Sequence, residues 1–165
     1  MADIRDIAKD NIEQLVAPGE RFKMMVTGYS MLPLLGYGRD VIVLRRIDAI
    51  EPILGRIAMF RAMDRHIIVH RVVAVDGDVV TFQGDGNPYQ QERCRRSDVV
   101  GVIEEVIRED GRVVSCLTRI WRLRERIWLC QPRLVRRYAL AILRRMANYK
   151  RKNKDNYGYK NRSWL

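Results

Sequence analysis

Residues 66–83 read HIIVHRVVAVDGDVVTFQ, two apolar and β-branched runs, His66 to Val75 and Asp78 to Gln83, separated by Asp76-Gly77. β-Branched side chains suit a pleated surface, and Asp-Gly supplies the positive φ that a two-residue turn needs. The stretch therefore predicts an antiparallel hairpin. The same pattern recurs outward in both directions. Upstream, Phe22, Met24 and Val26 alternate, and short apolar runs follow at 40–44 and 55–60; downstream, Val99 to Ile107 and Arg112 to Leu117 flank Asp110-Gly111. Short strands at this spacing predict a mostly β, largely antiparallel domain over residues 1–118.

The ends read differently. Ile4, Ile7, Ala8, Ile12 and Leu15 recur at helical spacing before Pro18-Gly19, predicting a short amphipathic helix over 3–16. Beyond Thr118 the period is again helical, with Ile120, Leu123 and Ile127 in one segment. After Pro132, Val135, Tyr138, Ile142 and Met146 lie opposite Arg133, Arg136, Arg137 and Arg144. Residues 119–149 are thus expected to form a basic amphipathic helical extension. Residues 150–165, rich in Lys, Asn and Tyr, are expected to be disordered.

Charge is distributed as unevenly as the pattern. The formal net charge is +11, but residues 1–118 carry 16 Lys/Arg against 18 Asp/Glu, and residues 119–165 carry 15 against 2. The basic balance belongs to the C-terminal segment, and no nucleic-acid reader motif accompanies it, so nucleic acid ranks last among the expected partners. That segment is expected to meet an anionic membrane surface, an acidic protein partner, or its own domain. Cys94, Cys116 and Cys130 are odd in number and widely spaced, which fits reduced thiols on the cytoplasmic side and no metal site. No uncharged apolar run approaches the about 18–20 residues of a transmembrane helix. The expectation is a soluble or peripherally membrane-associated chain.

One constellation carries chemistry. A serine nucleophile needs a base for its proton, a sharp backbone feature to expose it, and amides for the oxyanion. In Gly28-Tyr29-Ser30-Met31-Leu32-Pro33, Gly28 permits the turn, Pro33 stiffens the exit, and the backbone at Tyr29 and Ser30 can supply oxyanion donors. No lysine occurs between residues 31 and 118, and arginine does not deprotonate in proteins, which argues against a Ser-Lys dyad from the β domain. The chain has two histidines, His66 and His70, about 13 Å apart along one strand at ~3.3 Å per residue. His70, inside the apolar run, is the better base because its tautomer and environment can be controlled there.

Thr27-Gly-Tyr-Ser-Met-Leu-Pro33, Gly55-Arg-Ile-Ala-Met-Phe60, Ile68-Val-His-Arg-Val-Val73, Gly84-Asp-Gly-Asn87 and Asp98-Val-Val-Gly101 stand in this order. Over residues 20–107 the set resembles the successive boxes of type I signal peptidases and their S24/S26 relatives. The His-containing box is similar to the Ser-His, endoplasmic-reticulum and archaeal branch. The resemblance implies a coiled β-sheet peptidase domain of signal-peptidase or LexA-like form, with Ser30 as nucleophile and His70 as base. It implies a cofactor-free serine endopeptidase that cleaves a signal or leader segment after small residues, the polypeptide substrate binding as an extended strand, with Met31 and Pro33 beside it. The chain departs from the family where Gly28 replaces an oxyanion-assisting serine and where the third acid falls. Asp85 is the first candidate to orient His70, Glu92 the substitute, and a plain dyad the remaining alternative; Asp85 can equally be a turn residue. The rival expectations are a catalytically silent peptide- or membrane-binding module and a self-cleaving scaffold.

Overall fold

The computed structural model describes residues 19–48, 50–62 and 66–160, the stretch 150–160 as helical backbone. The helix expected over 3–16 lies outside these residues. The strands are β1 (Arg21–Met25), β2 (Val41–Arg46), β3 (Ile57–Arg61), β4 (Ile67–Asp76), β5 (Val79–Gly84), β6 (Asn87–Arg95), β7 (Val99–Ile107) and β8 (Val113–Ser115). They form one sheet in the order β1-β2-β7-β3-β4-β5-β6, with β8 also on β7, and every pairing is antiparallel. The expected mostly β fold is the observed one.

Strand alternation sorts apolar side chains into two cores, one on each face of the sheet. On β3, Ile57 and Met59 enter the first core, while Ala58 and Phe60 enter the second. On β4, Ile67 and Val69 pack on the first and Ile68 and Val72 on the second. Phe60 and Phe82 stack at 3.8 Å between ring centroids within the second core. A sheet buried on both faces explains why the runs at 57–60 and 99–103 are almost continuously apolar.

The hairpin predicted around Asp76-Gly77 joins β4 to β5, with Asp76 opposite Val79 and Gly77 at φ 54°. Strand β6 has no counterpart in the sequence reading. It is an edge strand, NPYQQERCR, paired only with β5 and mostly solvated, so hydrophobic alternation is silent there. Pro88 near its start is compatible with an edge position. The two-residue turn between β5 and β6 is Asp85-Gly86, whereas in the β4–β5 hairpin Asp76 ends the strand and the turn residues are Gly77-Asp78.

Two helices follow, α1 (Arg119–Leu129) and α2 (Arg133–Lys160). Thr118 caps α1 by accepting from the Trp121 amide at 3.2 Å, and Pro132 separates the two helices. The helix does not end at 149 but continues through Lys160, where disorder was expected. Lysine is a fair helix former, and no proline interrupts a helix already nucleated upstream. Residues 161–165 lie outside the described set.

Both helices dock on the β domain. Trp121 sits in the first core, while Trp128 and Leu140 close a third cluster on Leu32, with Tyr29, Ala139 and Leu143 around it. The inward side chains are therefore not the longest apolar stripes. Ile120, Leu123 and Ile127 of α1, and Val135, Tyr138, Ile142 and Met146 of α2, all face solvent.

Candidate active site

The geometry of the site begins with strand register. Arg71 pairs with Gln83, so one step further along the two strands Gly84 comes alongside His70. A Cβ placed on Gly84 would stand 3.1 Å from His70 Nε2, 3.3 Å from Ser30 Cβ and 2.7 Å from the Ser30 carbonyl oxygen. The imidazole edge and the serine thus face each other over a residue that has no side chain. Gly86 meets the same loop, and a Cβ there would lie 2.7 Å from the Tyr29 carbonyl. The Gly86 amide donates to the Ser30 carbonyl at 2.7 Å. Gly-Asp-Gly here permits a backbone-on-backbone contact that side chains would block.

The serine loop is held at its base as well as its tip. The Val26 amide donates to the Asp40 carbonyl at 3.0 Å, the Gly38 amide to the Val26 carbonyl at 2.8 Å, and the Gly36 amide to Asp40 Oδ2 at 2.7 Å. Arg108, on the turn after β7, donates to the Leu34 carbonyl at 3.0 Å and also pairs with the fully buried Asp40. The Leu32–Pro33 peptide is cis. Ser30 itself is half-buried at the loop tip.

The acid beside His70 is Glu92, not Asp85. His70 Nδ1 lies 2.8 Å from Glu92 Oε2, and both side chains are largely buried. A carboxylate accepts, so Nδ1 carries a proton toward Glu92, and Nε2 is the ring nitrogen turned toward Gly84 and Ser30. Register produces this contact: Val72 opposes Phe82, Phe82 opposes Glu92, and His70 lies two residues from Val72 on the same face. Asp85 points elsewhere, into a bidentate pair with Arg71 (Nε to Oδ1 2.8 Å, Nη2 to Oδ2 2.7 Å). As the neighbour of His70 on β4, Arg71 projects from the opposite face, and Asp85 follows it. His66 is exposed at the entrance to β4, apart from Ser30.

Beside Ser30 opens a largely apolar cavity of about 160 Å³. It is lined by Met24, Val26, Thr27 and Gly28 before the serine, by Met31, Leu35 and Ile42, and by Ile67, Ile68 and Val69 of β4. Pro33 is not among its lining residues. The first half of β4 pairs with β3 on one side, but β5 joins β4 only from Arg71 onward. Residues 67–70 therefore offer a strand edge along the cavity.

The helical extension packs on its own domain, one of the three expectations for it, and it does so at this site. Trp128 Nε1 and Arg136 Nη2 both donate to the Asp85 carbonyl, at 3.1 and 2.9 Å, and Arg144 Nη2 donates to the Gly86 carbonyl at 2.9 Å. Tyr29 stacks on Tyr37 at 4.6 Å and its hydroxyl donates to Asn148 Oδ1 at 2.9 Å. Glu125 of α1 accepts from Arg71 at 2.9 Å and from Trp121 Nε1 at 2.8 Å, extending the Asp85–Arg71 pair into the helix. Burial is the largest single influence on the Arg71 guanidinium and lowers its pKa, but the bonds and charges of Asp85 and Glu125 together more than offset it, and the pKa ends above the ordinary arginine value. A Trp-Arg pair eight residues apart, Trp128 and Arg136, is the only sequence signal of this grip, and it reads equally well as a solvated face.

The cysteines take no part. Burial pushes the thiols of Cys94 and Cys116 up to about 12, and neither borders Ser30. Among the described residues no group of His, Cys, Asp and Glu could hold a metal ion. No protein-family model matches this chain, and no curated protein matches it.

Proposed function

We propose that this protein is a serine endopeptidase that cleaves a leader or signal segment from a polypeptide, using Ser30, His70 and Glu92. The observation that carries the reading is the His70–Glu92 contact at 2.8 Å on a ring whose other nitrogen faces Ser30 across Gly84. His70 Nε2 takes the Ser30 hydroxyl proton as Oγ attacks the scissile carbonyl, and Glu92 stabilises the imidazolium that forms. The same proton then passes to the leaving amine, and water, activated by His70, releases the acyl group and regenerates Ser30. Backbone amides at Tyr29 and Ser30 are the oxyanion donors in this scheme.

The substrate lies extended between residues 26–28 and 67–70, adding a strand to the open edge of β4. A cavity of about 160 Å³ suits a small apolar side chain near the cleaved bond. The test is a library of extended peptides with Ala, Ser or Gly before the scissile bond, read by mass spectrometry, with fluorophosphonate labelling of the protein in parallel. Cleavage and label are expected in the unaltered chain and neither in Ser30→Ala. A Ser30→Ala protein that cleaves at the unaltered rate refutes the proposal.

A further inference from the structure

The outer faces of α1 and α2 carry a pattern that packing among the described residues does not use. At ~100° per residue, Val135, Tyr138, Ile142, Met146 and Tyr149 fall within about a quarter of the circumference of α2. All are exposed, Tyr138 by 69% and Ile142 by 60%. On α1, Ile120, Leu123 and Ile127 form an equivalent exposed stripe, directed away from the buried Trp121 and Trp128. Exposed arginines border both, Arg119, Arg124 and Arg126 on α1 and Arg145 on α2. The only acid in residues 119–149 is Glu125, already engaged by Arg71 and Trp121.

We propose that these faces dock the protein on an anionic lipid surface. The apolar stripes enter the boundary between headgroups and acyl chains, and the arginines meet lipid phosphates, their aliphatic stems lying along the apolar surface. Charge decides between a bilayer and a protein partner. A protein interface core is depleted of charge and its rim carries both signs, whereas these stripes are narrow and bordered by one sign only. Among the described residues no helix is long and apolar enough to cross a membrane, so the contact is made from one side. This proposal does not depend on what Ser30 does.

The test is flotation of the full chain with vesicles of phosphatidylcholine alone or with phosphatidylglycerol added, at low salt. The protein should float with the phosphatidylglycerol vesicles and remain below with phosphatidylcholine alone. Because Ile120, Leu123, Tyr138 and Ile142 are exposed, changing them to Ser leaves the fold intact by circular dichroism. Leu123→Ser with Ile142→Ser should weaken binding at least about tenfold, as loss of two buried apolar side chains requires. Arg124→Gln with Arg145→Gln should weaken it and reduce its dependence on salt. The proposal is overturned if the unaltered chain stays below with both vesicle types. It is overturned equally if the Ser variants bind like the unaltered chain, because binding is then charge alone. It also fails if polyglutamate captures the protein and the vesicles do not, which assigns the face to an acidic protein.

Discussion

At the scale of single residues, two carboxylates on neighbouring structures have separable roles. Glu92 touches His70, whereas Asp85 neutralises a buried arginine. Glu92→Gln should therefore lower kcat by about a thousandfold or more, as loss of an orienting carboxylate does in related triads, with little change in Tm. Asp85→Asn should act the other way. Leaving the buried Arg71 guanidinium with Glu125 as its one carboxylate costs at most about 3–5 kcal/mol, the cost of an unpaired buried charge, seen as a fall in the urea midpoint. Gly84→Ala introduces a methyl 2.7 Å from the Ser30 carbonyl, so backbone must move and His70 must retreat. We expect activity to fall more steeply than the about 1–3 kcal/mol of overpacking implies. The thiols give an independent check on the fold. Iodoacetamide at pH 8 should modify the exposed Cys130 first, with Cys94 and Cys116 protected until the chain unfolds.

At the scale of elements, what is legible in the sequence follows from which forces leave a periodic trace. β7 is legible because burial on both faces demands apolar residues, β5 because its alternation follows one buried face, and β4 because its β-branched run leads into Asp76-Gly77. His70 stands out in the sequence because the chain has two histidines and no lysine between residues 31 and 118, whereas Ser30 stands out only through its Gly-Tyr-Ser-Met-Leu-Pro motif and the order of the motifs that follow. β6 is not, since an edge strand held by backbone hydrogen bonds places few demands on its side chains. Missing β6 leaves the choice between Asp85 and Glu92 open, because only its register against β5 places Glu92 beside His70. The helices are legible from spacing, but which face turns inward is not. Trp121, Trp128 and Leu140 turn inward instead, and their partners, the first core, Leu32 and the Asp85 carbonyl, lie too far away in sequence to leave a local trace. A double-mutant cycle tests that grip. Trp128→Phe and Arg136→Met each remove one donor to a shared carbonyl, at about 1 kcal/mol apiece. Their effects on the urea midpoint should be non-additive by about 0.5 kcal/mol or more.

At the scale of the whole molecule, the two electrostatic halves meet through the Arg71–Glu125 pair at 2.9 Å and the bonds of Arg136 and Arg144 to the Asp85 and Gly86 carbonyls, while further ion pairs lie within the β domain. Arg45 bridges Glu51 at 2.6 Å and Glu104 at 2.7 Å, tying the β2–β3 connection to β7. The hydrogen bond from Arg45 is the main reason that the Glu51 carboxyl lies below its ordinary value of 4.5. A carboxyl with a lowered folded-state pKa stabilises above its unfolded value, and that stabilisation is lost as pH falls through the folded one. Acidification from pH 6 to pH 3 should thus lower the urea midpoint less in Glu51→Gln than in the unaltered chain. The grip of α1 and α2 on the Asp85-Gly86 turn has a temporal counterpart. A ribosome delivers residues 119–149 after the whole sheet, so the carbonyls of Asp85 and Gly86 acquire these helix-borne donors only once synthesis has passed Arg144. A nascent chain stopped at Thr118 would display every box around Ser30 while lacking the support behind it.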